Sequence, residues 1–542
     1  MTFADLVVRG GVAFTPDNRT PSALGVAVRG DRIVAVGDER EISGLAGPGT
    51  VTLDASGGIV LPGFVDAHNH LRLGTPDGLD LSSATSIAEI HSLLRDHVRA
   101  DPTLEWIEAG RWVYGAIDAG RLPTADDLPD HVTGGRPAFL TSYDAHTVWM
   151  NRRALERFGI ERGVRRVPFG MVEMDDRGEP TGFVTGFAVM GLSRDGLAAL
   201  ERVLPGLSRD AQYRRLVRSL DLAASVGITT AVEPQNSVDD LGLFVRAREE
   251  GTLRSRLVAA LFHHVDAPPD QLTAFEEARR AFDDDRFRVD AVKLYIDDVI
   301  EPRTAAMLEE YDGHPGERGS MFWEPEAFAG LVAELDRRGF RTFTHATGDR
   351  GIRTALDAIE HARAVNGARD ARHQIVHCEL VHPDDQPRFA DLGVVACMQP
   401  RHASADLVAG DWLDNVGPER WQYGFPWRSL DAAGATLAFS SDYDVAEMDP
   451  LIGIYSALTR ARLDGTDAWQ TDECVSLETA LRAYTMGGAY AIGAERDRGS
   501  IAVGKYADLV VLDRNPFELE PSALLQTQVL ATVVAGEVVY RG

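Results

Sequence analysis

Eight short apolar runs, at 59–66, 228–233, 256–263, 289–295, 341–345, 373–377, 393–398 and 435–441, leave this 542-residue chain very few architectures. Amphipathic stretches at 211–226, 325–338, 351–365 and 477–491 fall between or after them. Short apolar runs bounded by turn residues suit strands buried on both faces, and parallel strands need a crossover helix between neighbours. The alternation predicts an α/β fold: a (β/α)8 TIM-like barrel.

Both ends of the chain are rich in strand-like segments. One end holds 5-DLVVRGGVAF-14, 24-LGVAVRGDRIVAVG-37 and 51-VTLDASGGIVLPG-63; the other holds 508-DLVVLD-513 and 529-VLATVVAGEVVYRG-542. Neither end is long enough to bury a good core alone. The economical expectation is one composite β-sandwich domain built from both termini, 1–58 and 499–542, with the barrel, 59–71 and 208–498, inserted into it. The long gap 72–207 carries aromatic, turn-rich segments such as 104-LEWIEAGRWVYG-115 and is expected to be a cap insertion over the barrel mouth.

A formal charge of −28 argues against nucleic acid, whose phosphates need a basic footprint, and against anionic membrane surfaces. No segment approaches about 18 uninterrupted apolar residues, and the start MTFADLVVRGG lacks the pattern of a secretion signal. Three cysteines without a C-x-x-C spacing fit a reducing cytoplasm. The expected partner is a small-molecule substrate.

Active sites of such barrels lie at the carboxyl ends of the strands. The residues found there are His68 and His70 (64-FVDAHNH-70), Lys293 (291-AVKLYIDD-298), His345 (343-FTHATGD-349), His377 (375-IVHCEL-380) and Asp442 (439-FSSDYD-444). On a strand, residues i and i+2 share a face, so the H-x-H pair aims two imidazoles at one spot, with Asp66 on the same face. Neutral imidazoles and carboxylates suit Zn²⁺ and similar divalent ions. The chain has only two lysines, Lys293 and Lys505, among 55 basic residues. A buried amine can lose its proton and add carbon dioxide to give an oxygen ligand, which arginine cannot do.

The order H-x-H, Lys, His, His, Asp on successive strands resembles the metal-dependent amidohydrolase superfamily. The phrases 60-VLPGFVDAHNH-70, 344-THATGD-349, 440-SSDYDV-445, 504-GKYADLVVLD-513 and 143-YDAHTVWMN-151 look like its large branch that includes N-substituted formamide deformylases. The resemblance implies a first ion held by His68, His70 and Asp442, a second held by His345 and His377, and a carboxylated Lys293 bridging them. Zn²⁺ is the expected ion, one or two per chain, with Mn²⁺ or Fe²⁺ as alternatives. Asp442 is the expected general base and acid in cleaving an amide-type C–N bond, and self-association is common among similar proteins. The sequence departs from this branch at 297-DD-298, where Asp-Gly is usual, and at Gly186, where glutamate is frequent.

Three further residues are candidates for substrate contact. His146 sits in the polar and aromatic cap phrase, Asp349 follows His345 by four positions, and Trp149 is one of several tryptophans able to wall an apolar pocket. Carbamate or lactone hydrolysis uses the same machinery and stays open. Deamination fits less well, because Gly348 stands where such enzymes usually carry glutamate and Lys293 is present. A non-catalytic regulatory protein on this fold would be expected to have lost a ligand, and all six remain.

Overall fold

Parallel strands dominate the middle of the chain, and each is buried over most of its length. The computed structural model describes residues 3–542 apart from 16–17, 23–24, 73–77, 118–120, 192–193, 269 and 409, so short parts of the predicted N-terminal strands and cap lie outside the described residues. The strands are β1 (Phe64–Asp66), β2 (Ile228–Asn236), β3 (Arg256–Phe262), β4 (Phe287–Tyr295), β5 (Arg341–Ala346), β6 (Gln374–His377), β7 (Val395–Met398) and β8 (Thr436–Phe439). They pair in sequence order into one eight-stranded parallel sheet.

The sheet curls until its first and last strands nearly meet. Beyond the strand ends, the Asp442 N–H donates to the His68 carbonyl at 2.9 Å, and the His70 N–H donates to the Tyr443 carbonyl at 2.7 Å. Asp66 reinforces this seam rather than facing the histidines. Its carboxylate accepts from the Ser441 N–H and hydroxyl at 3.0 and 2.6 Å and from the Asn69 amide at 2.8 Å. The fold is thus a mixed α/β architecture that fits a TIM barrel, as the eight apolar runs predict.

Every strand contributes to the barrel interior, with Val65, Val232, Val258, Ala291, Phe343, Val376, Val395 and Ala438 in one apolar cluster. The period of two then dictates what stands above them. Ala291 points inward, so Lys293 does too; Phe343 points inward, so His345 does too.

The run at 59–66 is two strands, not one. Ile59–Pro62 belongs to a different sheet, paired with Val12–Thr15 on one side and with Leu509–Leu512 on the other. Gly63 makes the break: a Cβ there would stand 2.2 Å from the Thr229 side chain. This sheet has six strands and joins segments from both ends of the chain. A four-stranded sheet of N-terminal segments shares its apolar core, with Val8, Val28 and Leu53 packed among Leu509, Val511 and Val533. The predicted helix at 477–491 is interrupted by a π-helical turn at Ala483–Gly487. There Gly487 packs against the Leu437 carbonyl so closely that a Cβ would meet it at 2.0 Å. Residues between β1 and β2 form a seven-stranded sheet with its own cores around Trp112 and Phe139. No helix among the described residues is long and apolar enough to cross a membrane.

One buried ion pair ties the barrel to the terminal sheets. Arg256 opens β3 and is 1% exposed. Its Nε and Nη2 meet the Asp508 carboxylate at 2.7 and 3.1 Å, and its guanidinium lies 4.0 Å over the Tyr506 ring. Arg256 Nη1 also meets the Asp285 carboxylate at 2.9 Å, so Asp508→Ala leaves the guanidinium one partner and is expected to cost about 1.5–3 kcal/mol. Urea unfolding monitored by far-UV circular dichroism measures that loss directly.

Candidate metal centre

Asp442 sits where the two ends of the barrel come together, and imidazoles approach both of its oxygens. Its Oδ1 lies 3.0 Å from His68 Nε2 and 3.3 Å from His70 Nε2, and those two nitrogens are 3.2 Å apart. Its Oδ2 lies 3.8 Å from both His377 Nδ1 and His402 Nε2. Among the described residues, the histidine and carboxylate atoms close enough to hold one ion form two groups: His68, His70 and Asp442, and His377, His402 and Asp442. The first is the set implied by the sequence.

The second group differs from that expectation. It takes His402, which sequence reading passed over, and it leaves out His345. The His345 ring stacks on Tyr295 at 4.6 Å and lies 4.5 Å from the His377 ring, and its Nε2–H donates to the Asp298 carbonyl at 3.1 Å. That bond leaves Nδ1 as its acceptor nitrogen. His402 lies four residues beyond the end of β7, in 398-MQPRHAS-404, stacked parallel to His377 at 6.2 Å. The strand-end rule applied to β7 points to it.

Backbone conformation helps aim the groups. His377 and Asp442 both have positive φ, 77° and 56°. For residues with a Cβ this region costs about 1–2 kcal/mol, and such strain clusters at functional sites.

The electrostatics put the donors in ligating form. Burial drives His68 down to about 3, with Lys293 and His70 adding to it against the pull of Asp442. Burial likewise holds His345 and His377 well below the usual imidazole range. Burial alone would raise the Asp442 carboxyl, but the imidazoles of His68, His70 and His377 outweigh it and keep the group ionised. Lys293 is fully buried, 4.6 Å from the Tyr295 ring, and its Nζ has no hydrogen-bond partner among the described residues. Burial brings its amine down to about 7 against the attraction of Asp442. Orphaned buried donors are rare in native proteins, and Lys293 Nζ, His68 Nδ1, His70 Nδ1 and His402 Nε2 are all orphaned here. Imidazoles, one carboxylate and an amine able to shed its proton near neutrality make a chemically fitting shell for a divalent cation.

The candidates for substrate contact divide. His146 reaches the site from the segment before β2 and lines the cavities on both sides of Asp442. Its Nδ1 is hydrogen-bonded to the Asp298 carboxylate, the second aspartate of 297-DD-298. Burial opposes protonation of His146, yet Asp298 outweighs it and raises the imidazole. Trp149 does not reach the site. It is fully buried in the core around Trp112, and its Nε1–H donates to the Thr124 carbonyl at 2.7 Å. Asp349 opens the helix Asp349–Asn366, its Oδ1 accepts from the Leu308 and Arg350 N–H groups at 2.7 and 2.9 Å, and it is not among the lining residues of either cavity beside Asp442. Gly186, with φ of 70°, turns the chain so that the Phe187 N–H donates to the His146 carbonyl at 2.9 Å.

The Amidohydrolase family profile matches residues 51–540. The chain belongs to this family. Similar proteins match it over nearly its full length. N-substituted formamide deformylase of Arthrobacter pascens is 28% identical over 99% of this chain and 98% of its own. Protein LONG AFTER FAR-RED 3 of Arabidopsis thaliana is 29% identical over 99% of this chain and 92% of its own. An uncharacterized metal-dependent hydrolase of Pyrococcus furiosus shares the fold, with a TM-score of 0.71 at 24% identity over 95% of this chain and 100% of that one. As an amidohydrolase the chain is a hydrolase acting on carbon–nitrogen bonds, and its His and Asp groups support a divalent metal.

Proposed function

We propose that this amidohydrolase cleaves the C–N bond of a small amide-type substrate, with N-substituted formamides the first class to test and aryl or cyclic amides next. The observation that carries the reading is the approach of Asp442 Oδ1 to both His68 Nε2 and His70 Nε2. His68, His70 and Asp442 would hold one divalent ion, zinc by preference. His377 would hold a second with His345 or His402, and a carboxylated Lys293 would bridge the two. An ion bound there supplies a water acidified toward neutrality and an electrophile for the substrate carbonyl.

Asp442, kept ionised by its neighbours, takes the proton of the attacking water and passes it to the departing nitrogen. His146, fixed by Asp298, presents its Nε2–H to the carbonyl oxygen as charge develops on it. The segment carrying His146 acts as a cap that excludes water, since Tyr143 and His146 reach from it to Glu301 and Asp298. The two sheets that share the Val8–Leu509 core are read as the composite β-sandwich. The three cysteines are unpaired, in keeping with a cytoplasmic enzyme.

Metal analysis of the purified protein, followed by assay of the loaded enzyme on N-substituted formamides, aryl amides and cyclic amides, tests the reading. One or two divalent ions per chain and hydrolysis of at least one class are expected. Protein that binds no such ion, even after incubation with Zn²⁺ or Mn²⁺, refutes it. His146→Asn is expected to lower kcat/KM by about 100-fold, within the range for one lost oxyanion donor. Because His146 acts protonated and its pKa is raised, wild-type activity falls as pH rises through that value. That alkaline limb should be absent from the pH profile of the variant.

A further inference from the structure

The cavity lined by Asp442 and His146 also carries three carboxyl groups that the reaction does not use. Asp144, Glu301 and Glu379 line it together with the aromatic rings of Tyr143, Trp412 and Phe425, and no lysine or arginine is among the lining residues. Aromatic groups hold each carboxylate in place. The Tyr143 hydroxyl donates to Glu301 Oε1 at 3.0 Å, Trp412 Nε1–H donates to Glu379 Oε2 at 2.8 Å, and the Tyr114 hydroxyl donates to Asp144 Oδ2 at 3.2 Å. Glu379 is 6% exposed, and its second oxygen makes no hydrogen bond to any described residue. Burial, and then the neighbouring carboxyl groups, raise both Glu301 and Glu379. Their oxygens belong to neither of the groups close enough to hold a metal ion.

Carboxyl groups gathered in a buried cavity are costly to ionise, His146 is the one cationic side chain among the lining residues and is already held by Asp298, and a bound cation offsets that cost. The aromatic rings beside them favour the same partner, because a cation is attracted to a ring face. These oxygens fall outside metal-ligand spacing, and the longer N–H···O contacts of an alkylammonium group suit a wider spacing than a metal ion does.

We propose that these carboxyl groups form a subsite for an organic cation, so that the substrate carries an ammonium or similar group a few bonds from the amide to be cleaved. Glu379 and Glu301 are its specificity-determining residues, and Asp144 supports them. This deepens the proposed function and rests on it only for the reaction, not for the binding.

Titration calorimetry of the metal-loaded full chain with n-butylamine, a cation at neutral pH, and with 1-butanol, its neutral isostere, tests the subsite. Neither probe is hydrolysed. The ammonium is expected to bind at least about tenfold tighter, roughly 1.4 kcal/mol. Glu379→Gln and Glu301→Gln should each reduce that preference to below about threefold with little change in Tm. The proposal is overturned if butanol binds as well as the amine or if the amine shows no binding at about 10 mM. It is also overturned if both variants keep the full preference, as an amine that merely ligates the metal would do. A parallel assay compares N-(4-aminobutyl)formamide with N-pentylformamide. Ammonium preference in calorimetry without cleavage of either formamide, or of any amide class, would count against the proposed reaction and leave the subsite standing.

Discussion

Asp442→Asn should lower kcat/KM by about 10³- to 10⁴-fold, the upper range for loss of a positioned general acid–base group. The substitution keeps volume and one oxygen but removes the negative charge that faces four imidazoles. Two losses then coincide: the acceptor for the water's proton, and the carboxylate shared by both donor groups. Metal analysis separates them. If Asp442 acts chiefly as the proton acceptor, the variant retains ion and loses turnover. If it acts chiefly as a ligand, ion and activity fall together. A variant within about tenfold of wild type would remove Asp442 from the chemistry altogether.

Lys293→Arg should abolish most activity, by at least about 100-fold, although it preserves charge type and roughly preserves length. The site demands an amine that can be uncharged: Lys293 is fully buried, has no hydrogen-bond partner among the described residues, and is brought down to about 7. A guanidinium stays protonated and would place a permanent charge against whatever cation the imidazoles hold. The sign of the pH effect follows from the lowered value. Below about 7 the Lys293 amine gains a proton and cannot add carbon dioxide, so carboxylation should grow as pH rises through neutrality. Wild-type protein incubated with ¹³C-bicarbonate should show a carbamate carbon signal that Lys293→Arg lacks. A normal signal or full activity in the variant would show that the lysine is not modified as proposed.

The parts of this molecule legible in the sequence are those governed by short-range periodicity. Apolar runs spaced by amphipathic stretches announce parallel strands, and period two carries the inward direction from Ala291 to Lys293 and from Phe343 to His345. The same reasoning misreads 59–66, because nothing local distinguishes Ile59–Pro62 from Phe64–Asp66; the difference lies in the partners each finds, and Gly63 permits the change of sheet. Trp149 and Asp349 were candidates on residue type and neighbourhood alone. A buried indole bonded to Thr124 and a carboxylate whose Oδ1 takes two backbone amides satisfy those same cues without lining either cavity beside Asp442. His402 was discoverable, being just past a strand end. Glu301 and Glu379 were not, since their shared cavity forms only when residues after β4, after β6 and in the segment before β2 are brought together.

The seam between β1 and β8 has a bearing on how such an enzyme comes to life during synthesis. His68 and His70 leave the ribosome early, but their partner Asp442 follows only after nearly the whole barrel has been translated. Until that late segment docks, the nascent polypeptide carries scattered imidazoles with no shared anchor, so unfinished copies or those cut before Asp442 stay catalytically silent.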